Sequence, residues 1–141
     1  EEVGLYGAKT SSYSITPEWA VAVDVTDCDD RISIKNAAKS IGAGPTLTIK
    51  DEEMISNPCI DDKILDIAHK KKINIQPDVS DSGTTDAINI SISKSGVPSA
   101  VLGVPVRNLH TTAGLAHLGD IEDAIKILYE LLKDPPNIRS Y

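Results

Sequence analysis

Five apolar residues, Trp19-Ala-Val-Ala-Val23, run without a polar interruption and end on a single carboxylate, Asp24. A short unbroken run of this kind suits a strand buried on both faces, as in a parallel sheet covered by helices. Residues 19–26 are therefore expected to form such a strand. Asp24 is expected at or near its carboxyl end, outside which ligands collect in open α/β sheets.

The remaining pattern agrees with that layering. Residues 46–50 and 98–105 read as further strands, the second broken by Gly103, with a short alternation at 32–34. Residues 3–9 read as a turn leading into a helical turn, and residues 73–77 as extended chain. From Asp61 onward Ile64, Ile67 and Ala68 recur at helical spacing, and Lys70, Lys71 and Lys72 supply cations at the C-terminal end. Residues 86–95 fit a strand through Ile88, Ile90 and Ile92, or a helix ending at Gly96. The clearest helix is the last. Asp120 is its N-cap candidate, Glu122 and Asp123 lie in the first turn, and Ile121, Ala124, Ile125, Leu128 and Leu132 form an apolar stripe. Strands alternating with helices give an α/β fold class.

A chain of 141 residues is one domain's worth, enough to bury a core. With 21 acidic against 14 basic residues and 4% aromatics, it carries no basic stripe interleaved with aromatic rings, which argues against nucleic-acid binding. Its longest apolar run is too short to span a bilayer. Cys28 and Cys59 form neither a disulfide framework nor a zinc-finger spacing, so a reducing cytoplasm is the expected location.

The candidates for chemistry are few. No nucleophile elbow, phosphate loop or dinucleotide fingerprint is present. Glu1-Glu2 reads either as a solvated acidic pair or as two side chains splayed around one ion, one a ligand and one a base. His110 follows a strand in a loop with Arg107 and Thr111, and reads as a hydrogen-bonded loop histidine or as a metal ligand. Asp78, Asp81 and Asp86 flank Ser82-Gly83-Thr84-Thr85, which fits a polar turn with a helix cap better than a substrate loop. Asp27, Asp29 and Asp30 lack the glycine and the terminal glutamate of a calcium loop. Mixed carboxylate and imidazole donors suit zinc, cobalt or manganese, and an unligated glutamate beside them suits deprotonation of water.

Several stretches in order carry a resemblance: Glu1-Glu2-Val-Gly-Leu-Tyr-Gly-Ala8, Ala22-Val-Asp24-Val-Thr26, Gly44-Pro45, Gly83-Thr-Thr-Asp86-Ala87, Gly96-Val-Pro-Ser-Ala100 and Val104-Pro-Val-Arg107-Asn-Leu-His110-Thr111. Together they resemble the tetrahedral, or glutamyl and deblocking, aminopeptidases, two-metal exopeptidases of which some carry the name cellulase. The resemblance implies a three-layer α/β/α sandwich with a mixed, mostly parallel sheet. It implies Glu1 as general base and Glu2, Asp24 and His110 as ligands of two divalent metals, zinc or cobalt with manganese as an alternative. A water bridging those metals would attack the first peptide carbonyl of a peptide substrate. The family also uses a histidine, a bridging aspartate and an inserted oligomerisation domain, all preceding the Glu-Glu pair. Residues 1–141 are therefore expected to be the C-terminal part of a catalytic domain, inactive alone and part of a homo-oligomer when full length. Two other readings stand beside this one: a cellulase-type glycosidase, and a degenerate binding or assembly module without catalysis.

Overall fold

The computed structural model describes residues 1–28, 30 and 38–138. The alternation at 32–34 lies outside the described residues, and so does Asp29. The chain order is α1 (Tyr6–Ile15), β1 (Ala20–Asp27), β2 (Thr46–Lys50), α2 (Pro58–Lys71), β3 (Gln76–Val79), α3 (Ala87–Ser91), β4 (Ser99–Arg107), β5 (Leu115–Ala116) and α4 (Leu118–Lys133). The strands lie side by side in the order β1-β4-β2-β3, with β5 added to β4. β1 runs parallel to β4 and β2 parallel to β3, whereas β4 is antiparallel to both β2 and β5. The sheet is mixed, and the fold class is α/β as expected.

Alternation along β4 separates the two faces, because successive strand side chains point to opposite sides. Ala100, Leu102 and Val104 join Leu47 under α2 and α4, against Ile60, Ile64, Ile127 and Leu131. Val101 points the other way and packs with Ala22, Met54 and Ala87, the last at the start of α3. α1 rests on α3, so helices cover both faces of the sheet. Each fully buried Leu or Ile of the larger core stabilises the fold by about 1.5–3 kcal/mol. No described helix is long and apolar enough to cross a membrane.

Several local expectations change. β1 is an edge strand among the described residues, and Val23 and Val25 are 57% and 45% exposed, so beyond Val21, which packs on the larger core, only one face of the strand is covered. Gly103 does not break β4. It lies inside the strand, where an added Cβ would stand 2.3 Å from Thr46 Oγ1 of the neighbouring strand, so glycine permits the close approach. The hydroxyl-rich stretch before Thr16 is helical because its hydroxyls donate back to the helix carbonyls, Thr10 to Tyr6 at 3.1 Å and Ser14 to Thr10 at 3.2 Å. The helix expected from Asp61 starts three residues sooner, at Pro58. Asn57 caps it by accepting from the Cys59 amide at 3.0 Å. The ambiguous segment after Asp86 is the short helix α3.

The last helix begins before Asp120. His117 is the N-cap, its Nδ1 accepting from the Gly119 amide at 3.1 Å. Asp120 is 2% exposed within the first turn, and its carboxylate accepts from the Gly42 and Gly44 amides at 2.7 and 2.9 Å. That ties α4 to the turn leading into β2. Gly44 has φ 101°, and a Cβ there would meet the Asn74 carbonyl oxygen at 2.0 Å, so this turn accepts only glycine. Replacing Asp120 by Ala is expected to cost about 1–3 kcal/mol in urea unfolding, since the buried Gly44 amide and the exposed Gly42 amide lose a charged acceptor.

Asp61 gives a pH-dependent term. Burial raises its carboxyl from 3.8 to about 6, with the Ser56 hydroxyl, which donates at 2.6 Å, opposing and Asp62 adding. The folded value lies above the unfolded one, so stability is greatest where both states hold the proton and falls as pH rises between the two values. Asp61→Asn removes that dependence. Its stability relative to wild type is expected to rise by about 1–3 kcal/mol between roughly pH 4 and pH 8, measured by urea unfolding at both values.

Candidate functional site

The candidate site lies on the α3 face of the sheet, in a cleft of about 130 Å³. Glu1, Glu2, Asp24 and His110, drawn from opposite ends of the chain, all line it. Asp24 stands fifth of eight residues in β1 and directly opposite Gly103 of β4, so it projects from the sheet face and is not the terminal residue of its strand. The floor beside it comes from Thr26 of β1, Thr48 of β2 and Asp78 of β3.

Local structure delivers each group. Glu1 and Glu2 sit in a turn closed by the Gly4 and Leu5 amides, which donate to the Glu1 carbonyl at 3.0 and 2.9 Å. The Asn89 amide of α3 donates to the Leu5 carbonyl at 3.1 Å, fastening that turn over the sheet. His110 ends the turn that follows β4, in which Asn108 and His110 both adopt positive φ, 57° and 58°. Left-handed backbone at a non-glycine residue costs of order 1–3 kcal/mol and is held only where the surroundings impose it. Here Thr111 braces the turn, its amide and hydroxyl donating to the Asn108 carbonyl at 3.2 and 2.6 Å.

Charge is concentrated in the cleft. Glu2 Oε1 lies 3.4 Å from His110 Nδ1. The Glu1 carboxyl is raised above its ordinary 4.5, first by loss of hydration and then by the negative charges of Asp24 and Glu2, with Asp86 adding. In kind, a paired carboxylate and imidazole with a second carboxylate nearby suit a divalent cation such as zinc, cobalt or manganese. In number they fall short, for among the described residues no three His, Cys, Asp or Glu side chains are grouped so that they could hold an ion.

Sequence reasoning missed the support beneath these groups. Lys39, 9% exposed, donates to Thr26 Oγ1 at 2.9 Å and pairs with Asp78 at 3.0 Å and with Asp27 at 3.3 Å. Its backbone carbonyl accepts from the thiol of buried Cys28 at 3.0 Å. Arg107 pairs with Asp30, whose carboxyl the guanidinium lowers to about 2. Asp27 and Asp30, two of the three acids clustered about the end of β1, are thus held by cations of the chain itself. Asp86 precedes α3 without capping it by its side chain. The Thr85 hydroxyl takes that place, accepting from the Ala87 amide at 3.2 Å. The Thr85 contact is local, whereas those of Lys39 and Arg107 leave no local signature because they join segments brought together by the sheet.

Residues 1–127 match the model of the M42 glutamyl aminopeptidase family, and the chain belongs to that family. It is 33% identical over 135 residues to the lysyl aminopeptidase of Pyrococcus furiosus, covering 95% of this chain and 38% of that protein. The aminopeptidase APDkam598 from Desulfurococcus kamchatkensis superposes with a TM-score of 0.92 at 34% identity, over 96% of this chain and 39% of that one. The Pyrococcus horikoshii TET1 peptidase, which can assemble into a tetrahedron or a large octahedral shell, gives a TM-score of 0.77 at 32% identity, over 93% of this chain and 38% of that one. The chain thus spans about two fifths of the length of the curated relatives it matches.

Breaking one side of the buried Lys39–Asp78 pair leaves an uncompensated charge. Lys39→Met is expected to destabilise the fold by about 3–5 kcal/mol, and Asp78→Asn placed on top of it to restore much of that loss, in a urea double-mutant cycle.

Proposed function

We propose that these residues form part of the catalytic centre of a metal-dependent aminopeptidase that removes N-terminal residues from peptides. The observation that carries this reading is the meeting of Glu1, Glu2, Asp24 and His110 on one cleft in a chain of the M42 family. Glu2, Asp24 and His110 would hold divalent metal, zinc or cobalt with manganese as the alternative, together with donors from polypeptide beyond the described residues. The metals would supply Lewis-acid polarisation of the peptide carbonyl and easier ionisation of water. Glu1 is free of the Glu2–His110 contact and serves as the general base. It accepts the proton of the attacking water and returns it to the departing amine. The acidic cleft also attracts the free α-ammonium that defines an aminopeptidase substrate.

Because this sequence spans about two fifths of its relatives' length, the whole enzyme is proposed to be longer, to lie in the cytoplasm and to assemble as a homo-oligomer, in the way the Pyrococcus horikoshii TET1 peptidase assembles into a shell. A complete catalytic zinc site takes three protein ligands converging on one ion, and among the described residues no three His, Cys, Asp or Glu side chains are so grouped. Residues 1–141 alone are therefore expected to hydrolyse no aminoacyl p-nitroanilide at a detectable rate, even with cobalt or zinc supplied.

A full-length protein carrying this sequence is expected to release p-nitroaniline from such substrates, to lose activity on chelation and to recover it with added metal. Glu1→Gln should lower kcat by about 10²–10⁴-fold. Chelator-resistant hydrolysis of β-glucosides would favour the glycosidase reading instead. Absence of any hydrolysis by the full-length protein would favour a non-catalytic module.

A further inference from the structure

We propose that the free edge of β1 and the adjoining flank of α4 are the seat of the remainder of this same protein. Polypeptide outside residues 1–141 adds a strand to β1 and sets an apolar surface against α4. The inference rests on the whole protein being longer, as proposed above, and adds where the rest of it binds.

The strands with a free side meet solvent differently. β3 has four residues with Pro77 among them, and β5 has two. Shortness and proline blunt an edge against further pairing. β1 has eight residues, with neither proline nor a basic side chain. Its register pairs all of them with β4 on one side. The Ala20 and Cys28 amides donate inward, to the Pro98 and Val106 carbonyls at 2.9 and 3.1 Å. Amides alternate in direction along a strand, so those of Val21, Val23, Val25 and Asp27 point outward. The Val25 amide donates to the Asp24 carboxylate at 2.7 Å. Among the described residues no strand pairs with that edge.

The surface continues onto α4. Lys63 pairs with Asp134 at 2.6 Å and Lys71 with Glu130 at 3.0 Å, which puts α2 on one flank of α4. At about 100° per residue, Leu118, Ile121, Ile125 and Leu132 fall on the opposite flank, and all four are exposed. α2 is the crossover between the parallel neighbours β2 and β3 and lies over them. The other flank of α4 therefore faces the β1 side, where Val23 and Val25 are exposed on the same face of the sheet. Together these side chains make one apolar surface beside an unpaired strand, the kind a folded protein keeps covered.

Charge and length choose the occupant. A second copy joined across a two-fold axis would pair β1 with itself, antiparallel and with the same face up. In either register that pairs nearly the whole strand, the two Asp24 carboxylates stand opposite one another or one diagonal apart. Like charges so placed destabilise a strand pair. The rest of the protein carries no such constraint, and the matched relatives have about three fifths of their length outside the matched stretch. The strand it adds lies next to Asp24, so this remainder also borders the cleft.

The test uses the full-length protein and needs no turnover. Residue-resolved hydrogen exchange compares the outward amides of Val21 and Val23 with the inward amides of Ala22 and Asp24. Pairing at the edge is expected to bring the outward amides within about tenfold of the inward ones, whereas a free edge leaves them about 100-fold or more faster. Ile125 is separately replaced by the photo-cross-linker p-benzoylphenylalanine. Its product is expected to keep the monomer mass on a denaturing gel and to map to polypeptide outside residues 1–141. If that variant misfolds, the exchange of the unmodified protein decides.

Freely exchanging outward amides, a product of doubled mass, a product confined to residues 1–141, or no product would overturn the inference. A doubled mass would identify a second copy as the occupant. An inactive protein with a protected edge rejects the aminopeptidase reading alone, and an active one with a free edge rejects the docking alone. A whole protein of only 141 residues rejects the greater length and the docking together.

Discussion

The parallel pairing of β1 with β4 is the contact on which the rest depends. It joins Ala20 to Ser99 and continues through Asp27 opposite Val106, across nearly eighty residues of intervening chain. Closing so long a loop is entropically costly, though the cost grows only slowly with length. The return comes from Ala100, Leu102, Val104 and the helices packed against them, which bury that face of β4 as far as Val104. Once that register is set, Asp24 stands opposite Gly103 and the turn holding His110 emerges at the same end of the sheet. A one-residue slip would turn Asp24 to the opposite face and dismantle the cleft.

The two faces of the sheet divide the labour. Under α2 and α4 the side chains are aliphatic, and the packing supplies stability. On the α3 side the same strands present Asp24, Thr26, Thr48 and Asp78, with Gly103 cleared of a side chain in their midst. Polar groups on a sheet face need partners, and Lys39 reaches two of the acceptors there, Thr26 and Asp78, as well as Asp27 at the end of β1. The short α3 is thus more than cover. Through Asn89 it holds the Glu1-Glu2 turn above Asp24, so a five-residue helix sets the distance between two distant parts of the sequence.

Much of this was legible in the residues. The run ending at Asp24, the alternation at 46–50 and the stripe of α4 each carry a local periodicity that burial enforces. Glu1, Glu2, Asp24 and His110 were legible through their order and neighbours, and they do meet at one cleft. What escaped has a common cause. Asp120 looked like a cap because it precedes an apolar stripe, yet its carboxylate serves amides 76 and 78 residues away. Lys39 lies in an unremarkable stretch, and only the sheet brings Asp78 and Thr26 to it. Gly103 read as a breaker because glycine weakens a strand in isolation, whereas here a neighbouring threonine hydroxyl occupies the space its side chain would take. Helix α1 was legible only as a helical turn within residues 3–9, and its hydroxyl-rich remainder escaped for a local reason, since such segments favour turns unless their side chains bond back to the helix.

The arrangement of charge explains why the acids in the cleft play different parts. Asp27 and Asp78 have a cation between them, and Asp30 has Arg107, so their negative charge is spent within the fold. Glu2 has the His110 imidazole, a partner that is ionic only when protonated and is otherwise available to a metal. Glu1 is left with other carboxylates for neighbours, an environment that favours the protonated form and is relieved by nearby positive charge. Acids that already hold a lysine or arginine shape the floor. Those without one create the demand for cations, and it is these that line the space where a metal and the cationic end of a peptide would be received.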